Sequence, residues 1–164
     1  EEIQKEVKRV ASEITRDCGN EKPLFLCVLN GAFIFAADLF RSVDFESEIS
    51  FIRYKSYSGM SSTGEVKEVL GLTESIEGRT VIIVEDIVDT GLTATQLIES
   101  LKTKNPKQIK LATLLFKPDS STCGLVPDYV CFNIPSKFII GYGLDLDGLA
   151  RNLPDIYILS KDNK

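Results

Sequence analysis

The sequence predicts an α/β fold, a mostly parallel twisted sheet flanked by helices on both faces. Three observations carry this. Short continuous apolar runs recur along the chain, Val81-Ile82-Ile83-Val84 being the most strand-like. Between them lie stretches whose apolar residues repeat at helical spacing. Turn signals such as Asn30-Gly31 and Gly78 separate the two kinds. At 164 residues the chain is expected to form one domain, 1–164. A chain of that size buries roughly 70% of its unfolded surface and needs no staples.

Taken in order, Ile3, Val7, Val10, Ala11 and Ile14 fall at helical spacing, and Gly19-Asn20 stops the pattern. Leu24 to Leu29 reads as a buried strand, and Ala32 to Phe40 as a helix that is apolar on most of its surface. Ile49 to Tyr54 alternates as a strand does, and Val66 to Leu72 is a candidate to pair with it. The segment between, Lys55 to Glu65, is rich in Ser, Gly and Thr and cannot bury enough surface to hold one conformation, so a mobile loop is expected. Leu92, Leu97, Ile98 and Leu101 mark a helix after Val84. Ile109 to Phe116, Tyr129 to Ile134, Phe138 to Tyr142 and Ile156 to Leu159 complete the strands. In such sheets ligands bind at the carboxyl ends of the strands, so functional residues belong just after each one.

Composition removes several classes of function. The net charge of −5 is the wrong sign for following a nucleic-acid backbone, so no nucleic-acid partner is expected. With no histidine, any general acid or base is Asp, Glu, Lys, Tyr or Cys, and histidine-dependent triads and zinc sites are excluded. The four cysteines form no C-x-x-C pair, and buried free thiols are expected. No signal-peptide core, bilayer-length apolar stretch or lipidation motif is visible, which makes cytoplasm the expected location, with no membrane partner.

The informative segment runs from Val81 to Thr93. A buried strand leads through Glu85-Asp86, then Ile87-Val88, into Asp89-Thr90-Gly91-Leu92-Thr93 and a helix. Hydroxyls from Thr90 and Thr93, backbone amides freed by Gly91 and the positive end of a helix suit a phosphomonoester. Neighbouring carboxylates suit two sugar hydroxyls and a hard divalent cation. A phosphorylated sugar bridging the two meets every requirement. An ordinary N-capped helix would explain one Asp or one Thr, but not this whole pattern after a β-run. Gly59 to Gly64 has glycine-loop spacing, yet Glu65-Val66 follows where a phosphate loop needs Lys-Ser/Thr. Asp145-x-Asp147-Gly148 lacks the later ligands of a calcium loop.

Over Val81 to Thr93 the chain resembles the type I phosphoribosyltransferase family, and more widely, from Leu24 to Leu159, its hypoxanthine-guanine branch. The resemblance implies that family's fold, with a small hood region and a flexible lid loop. It implies purine salvage: hypoxanthine above all, and guanine, joined to 5-phosphoribosyl-1-diphosphate with release of pyrophosphate. By the same resemblance Glu85 and Asp86 meet the ribose hydroxyls directly or through Mg2+, Asp89 to Thr93 cradle the 5-phosphate, and Asp89 is the acid/base at purine N7. Leu29-Asn30-Gly31-Ala32 corresponds to the pyrophosphate loop, in which Asn30 and Gly31 bind pyrophosphate and the peptide before the second residue, Leu29-Asn30, is often cis, and Arg151 corresponds to the arginine that reaches pyrophosphate. Lys117 would donate to the purine O6, Phe138 would stack on the base and the Ile139 backbone would bond its polar edge. Asp145 would join a second metal site. Ser56-Tyr57 matches the pair that closes over the reacting sugar. A homodimer or homotetramer is usual in the family.

Two departures stand out: many members carry lysine at Leu92, and lysine or arginine at Asn30. The expected chemistry is magnesium-assisted displacement at the anomeric carbon, with purine N9 attacking a sugar of oxocarbenium character. Lys117 favours an acceptor at position 6 and disfavours adenine. The choice among hypoxanthine, guanine and xanthine stays open at this level, because backbone groups make it. A non-catalytic, RNA-binding nucleotide sensor on the same fold is the rival, and it calls for a basic face that this chain lacks.

Overall fold

The computed structural model describes residues 1–56 and 66–160. Helix α1, Glu2–Cys18, turns Val7, Val10, Ala11, Ile14 and Cys18 inward and ends where the Gly19 N–H donates to Thr15 O at 3.0 Å. Strand β1 (Leu24–Leu29), helix α2 (Phe33–Ser42), β2 (Glu48–Ser56) and β3 (Val66–Leu70) follow. Then come β4 (Thr80–Val88), α3 (Leu92–Lys102), β5 (Gln108–Phe116) and β6 (Tyr129–Asn133). The six strands form one sheet in the order β3-β2-β1-β4-β5-β6. All neighbours are parallel except β3, which runs antiparallel to β2. The expected mostly parallel α/β sheet is the one observed.

Its apolar runs are continuous because both faces are covered. In β1, Phe25 and Cys27 face α1 and α2, while Leu24, Leu26 and Val28 face α3. Ile82 and Val84 of β4 join the first group with Phe35 and Leu39, and Val81 and Ile83 join the second with Leu97 and Leu101. Fully burying each such side chain is worth about 1.5–3 kcal/mol, and truncating Phe35 or Ile83 to alanine should cost about 2–5 kcal/mol.

The strand order sets the location of a site. From β1 the chain crosses through α2 to β2, and from β4 through α3 to β5, on opposite faces and in opposite directions along the sheet. β1 and β4 are adjacent, so the switch point lies between their carboxyl ends. Their ladder stops at Cys27↔Val84, whereas that of β4 with β5 runs on to Val88↔Phe116. One sequence expectation is corrected here. Glu85 and Asp86 do not lie beyond the strand but inside it, because pairing of Ile87 and Val88 with Leu115 and Phe116 prolongs β4.

Phe138 to Tyr142 and Ile156 to Leu159 contribute only the two-residue strands β7 (Ile139–Ile140) and β8 (Tyr157–Ile158), which pair antiparallel in a separate small sheet. Positive φ at Gly141, Tyr142 and Gly143 (92°, 49° and 102°) bends the chain away after Ile140. This small sheet is the expected hood. Cys18, Cys27 and Cys131 are buried free thiols as expected, but Cys123 is exposed, since it sits in the β5–β6 connection. The expected lid falls partly out of view: Ser56 ends β2, and Tyr57 lies outside the described residues. No helix among the described residues is long and apolar enough to cross a membrane.

Candidate active site

Where β1 and β4 part, a cleft of about 240 Å³ opens, lined by Val28, Tyr54, Glu85 to Gly91, Thr93 and Ala94. Each strand end contributes according to its register. Val28 comes from β1, Tyr54 from β2 and the acids from the free edge of β4. Past Val88 the chain turns through Asp89 and Thr90 to Gly91, whose φ of +85° starts α3. The N-cap residue Gly91 offers no side chain, and the Leu92 N–H donates to Thr90 Oγ1 at 3.4 Å. Gly91, Thr93 and Ala94 line the cleft, so the positive end of α3 lies at its wall and suits an anion. Behind it, Thr122 N–H donates to Thr90 O at 3.0 Å, so the β5–β6 connection braces the turn. Leu92 itself is 54% exposed.

Glu85 is buried, and Asp86 partly so. Burial pushes the Glu85 carboxyl well above the usual range, and the adjacent Asp86 adds to the push. Asp86 is raised to about 6, first by burial and also by Asp145, while the Ile87 amide and Arg151 pull it back. The Ile87 N–H donates to Asp86 Oδ1 at 2.8 Å. Beneath them, burial raises the Cys27 thiol to about 12, with Glu85 and Asp86 adding to it. Carboxyls raised in this way are short of partners for their charged form, which a hard cation or hydrogen bonds from sugar hydroxyls would supply.

Asn30 is exposed at the end of β1, and the Leu29-Asn30 peptide is cis. A methyl group added to Gly31 would collide with the Asp86 carboxylate, so this loop lies directly on the acids. Gly143, in turn, lies on Gly31: its own added methyl would strike Gly31 O. The hood thus reaches the cleft. Within it Arg151 donates from Nη1 to Gly143 O at 2.8 Å and pairs through Nη2 with Asp145 Oδ1 at 3.3 Å. Asp145 Oδ2 accepts from the Gly148 N–H at 2.8 Å.

Among the described residues no three acidic or thiol side chains converge on one point. Magnesium takes one or two carboxylates and completes its shell with water and phosphate oxygens, so Glu85 with Asp86, and Asp145 separately, suit it.

Lys117 is 9% exposed and not the solvated strand end that its position allows. Its N–H donates to Val88 O at 3.0 Å, which sets it opposite Asp89, and its Nζ donates to Asp89 Oδ2 at 3.0 Å. Phe138 stands 54% exposed, whereas Ile139 is buried at 7%. Val28 and Tyr54 were missed by motif reading. Their signal was positional: each lies near the carboxyl end of a parallel strand.

A cleft at the switch point, a helix start at its wall and paired acids on the strand before it together fit the comparisons with known proteins. The family model for the phosphoribosyl transferase domain matches residues 1–147, and the chain belongs to that family. It is 42% identical over 160 residues to the hypoxanthine-guanine phosphoribosyltransferase of Bacillus subtilis, covering 97% of this chain and 89% of that protein. Among solved structures it is similar to a hypoxanthine-guanine phosphoribosyltransferase from Bacillus anthracis, with a TM-score of 0.93 at 41% identity over 97% of this chain and 94% of that one. A hypoxanthine phosphoribosyltransferase from Trypanosoma cruzi, solved as a mutant with the product IMP, matches with a TM-score of 0.91 at 38% identity, covering 97% and 86%.

Proposed function

We propose that the chain is a purine salvage transferase that converts hypoxanthine and guanine, with 5-phosphoribosyl-1-diphosphate, to the nucleoside 5'-monophosphate and pyrophosphate. The carrying observation is the free edge of β4. Its acids run without a break into the start of α3, so one cleft offers hydroxyl acceptors beside an anion seat.

In this reading Thr90, Gly91, Leu92 and Thr93 hold the 5-phosphate through amides and hydroxyls, while Glu85 and Asp86 accept from the ribose hydroxyls. Glu85 and Asp86, and Asp145 separately, would hold magnesium, which would supply positive charge beside the diphosphate. Arg151, Asn30 and Gly31 form the diphosphate end, and the planar guanidinium of Arg151 suits a phosphate fork. Lys117 donates to O6, Asp89 moves the proton at N7 so that N9 attacks, Phe138 stacks on the base and the Ile139 backbone bonds its edge. The free enzyme pairs Lys117 with Asp89, so an entering 6-oxopurine exchanges one ion pair for two directed contacts. Ser56 and Tyr57 are assigned the shielding of the reacting sugar from water on sequence resemblance alone. The 164 residues act as one phosphoribosyltransferase domain, in the cytoplasm, as a homodimer or homotetramer.

Incubation with the diphosphate sugar, magnesium and each of hypoxanthine, guanine, xanthine and adenine tests the reading. Release of IMP and pyrophosphate from hypoxanthine, abolished by chelation, is the expected result. No nucleotide from any 6-oxopurine, or full turnover after exhaustive chelation, would overturn it.

A further inference from the structure

Tyr142 lines no part of the cleft, yet three elements meet at its side chain. It is 5% exposed at a φ of +49°, a conformation a bulky residue holds only when its surroundings impose it. Its hydroxyl donates to Asp38 Oδ2 of α2, and the same carboxylate oxygen accepts from Gln4 Nε2 of α1 at 2.8 Å. A phenylalanine would fill the same space. What the hydroxyl adds is a fixed direction and distance to α2. Burial above all, and then the Asp38 carboxylate, push the phenol far up its scale, so it remains a donor throughout the working pH range.

The main chain on either side leads to the diphosphate end of the site. Tyr142 N–H donates to Leu153 O at 2.9 Å. Gly143 N–H donates to Arg151 O at 2.9 Å, and Gly143 O accepts from Arg151 Nη1 at 2.8 Å. Both the backbone and the guanidinium of Arg151 thus hang on the residue that follows Tyr142. Gly143 rests on Gly31 O and Gly31 on the Asp86 carboxylate, each without room for a methyl group, so a shift of the turn is transmitted and not absorbed.

We propose that Tyr142, through its hydrogen bond to Asp38, is a positioning residue that sets Arg151 and Gly31 at the height needed to hold the diphosphate. The inference rests on the function proposed above and adds to it a residue pair outside the cleft. Tyr142→Phe deletes only the hydroxyl, Asp38→Leu removes the acceptor, and Asp38→Asn keeps an acceptor oxygen. The bond to Asp38 lies outside the cleft and only part of its worth reaches the diphosphate, so the KM for the diphosphate sugar should rise roughly 5- to 20-fold in the first two variants. The KM for hypoxanthine should change less than about twofold, and Asp38→Asn should behave like the parent. Hydrogen exchange at the Tyr142 and Gly143 amides, which needs no turnover, should quicken in Tyr142→Phe and not in Asp38→Asn. A parent protein inactive with every 6-oxopurine would refute the function and leave the exchange result to judge the anchor. Unchanged exchange, an unchanged KM for the diphosphate sugar, or an equal rise in both KM values with a lowered unfolding temperature would overturn the positioning role.

Discussion

Replacing Lys117 with methionine separates the lysine's part in stability from the selectivity proposed for it. Its side chain is 11% exposed and its partner Asp89 is 48% exposed. Removing the lysine therefore strands no buried charge, because the Asp89 carboxylate keeps half its contact with water. Methionine fills a similar length, and the change in folding free energy should stay within about 1 kcal/mol in either direction. That corresponds to a shift in unfolding temperature of about 2–4 °C for a chain of this size. Catalysis should respond far more. A hydrogen bond from a charged donor to O6 in a desolvated site is worth about 1.5–3 kcal/mol, which is roughly 10- to 150-fold in kcat/KM for hypoxanthine. Adenine presents an amino group to the same lysine, donor against donor, and methionine relieves that conflict. The hypoxanthine-to-adenine ratio of kcat/KM should narrow by at least the factor that hypoxanthine loses. Steady-state kinetics with both bases, run beside thermal unfolding, measures the two effects. An unchanged ratio would refute the O6 assignment, and a loss of ten degrees or more would show that the pair holds the fold together.

Asp89→Asn leaves the 11% exposed Lys117 with a neutral partner, so it should cost about 1–3 kcal/mol of stability and lower turnover by roughly 10²–10⁴-fold, the usual worth of a general acid/base; a parent-like rate would mean that N7 needs no proton transfer. Gly31→Ala places a methyl group against the Asp86 carboxylate and should cost about 1–3 kcal/mol of stability, together with most of the activity, measurable by denaturant titration and assay. A parent-like titration would show that the loop has slack. Glu21 accepts hydrogen bonds from Thr80, Lys107 and Gln108, which hold its carboxyl at about 2, below the ordinary value of 4.5. A depressed carboxyl stabilises the fold above the unfolded value and loses that effect as pH falls through the folded one. Unfolding temperatures should therefore decline between about pH 4.5 and pH 2 in the parent and decline less in Glu21→Gln; parallel curves would discount the cluster.

The layered sheet was legible because its signals are local. Each apolar run and each helical repeat is decided within about ten residues, and Val81 to Thr93 carries its chemistry in one uninterrupted segment. Strand ends were less legible. Two consecutive acids suggest that a strand has finished, yet the ladder to Leu115 and Phe116 carries β4 past them. Contacts made across the fold were not legible at all. The Lys117–Asp89 pair joins residues 28 positions apart, and the Tyr142–Asp38 bond joins residues 104 apart. Val28 and Tyr54 line the cleft only because β1 and β2 end beside β4, which no motif in either strand states.

The thiol at Cys123 gives the protein a ready attachment point for a spectroscopic reporter. Cys27 and Cys131 are buried and raised by that burial to about 12, and Cys18 is buried and raised as well. Near neutral pH a maleimide dye should accordingly label one position without any cysteine being engineered away. Cys123 follows Thr122, which is bonded to Thr90, and its Cβ lies 3.8 Å from where a side chain on Gly91 would begin. A fluorophore tethered there would stand beside the Thr90–Gly91 turn at the rim of the cleft, where its emission would follow nucleotide arriving and leaving in real time.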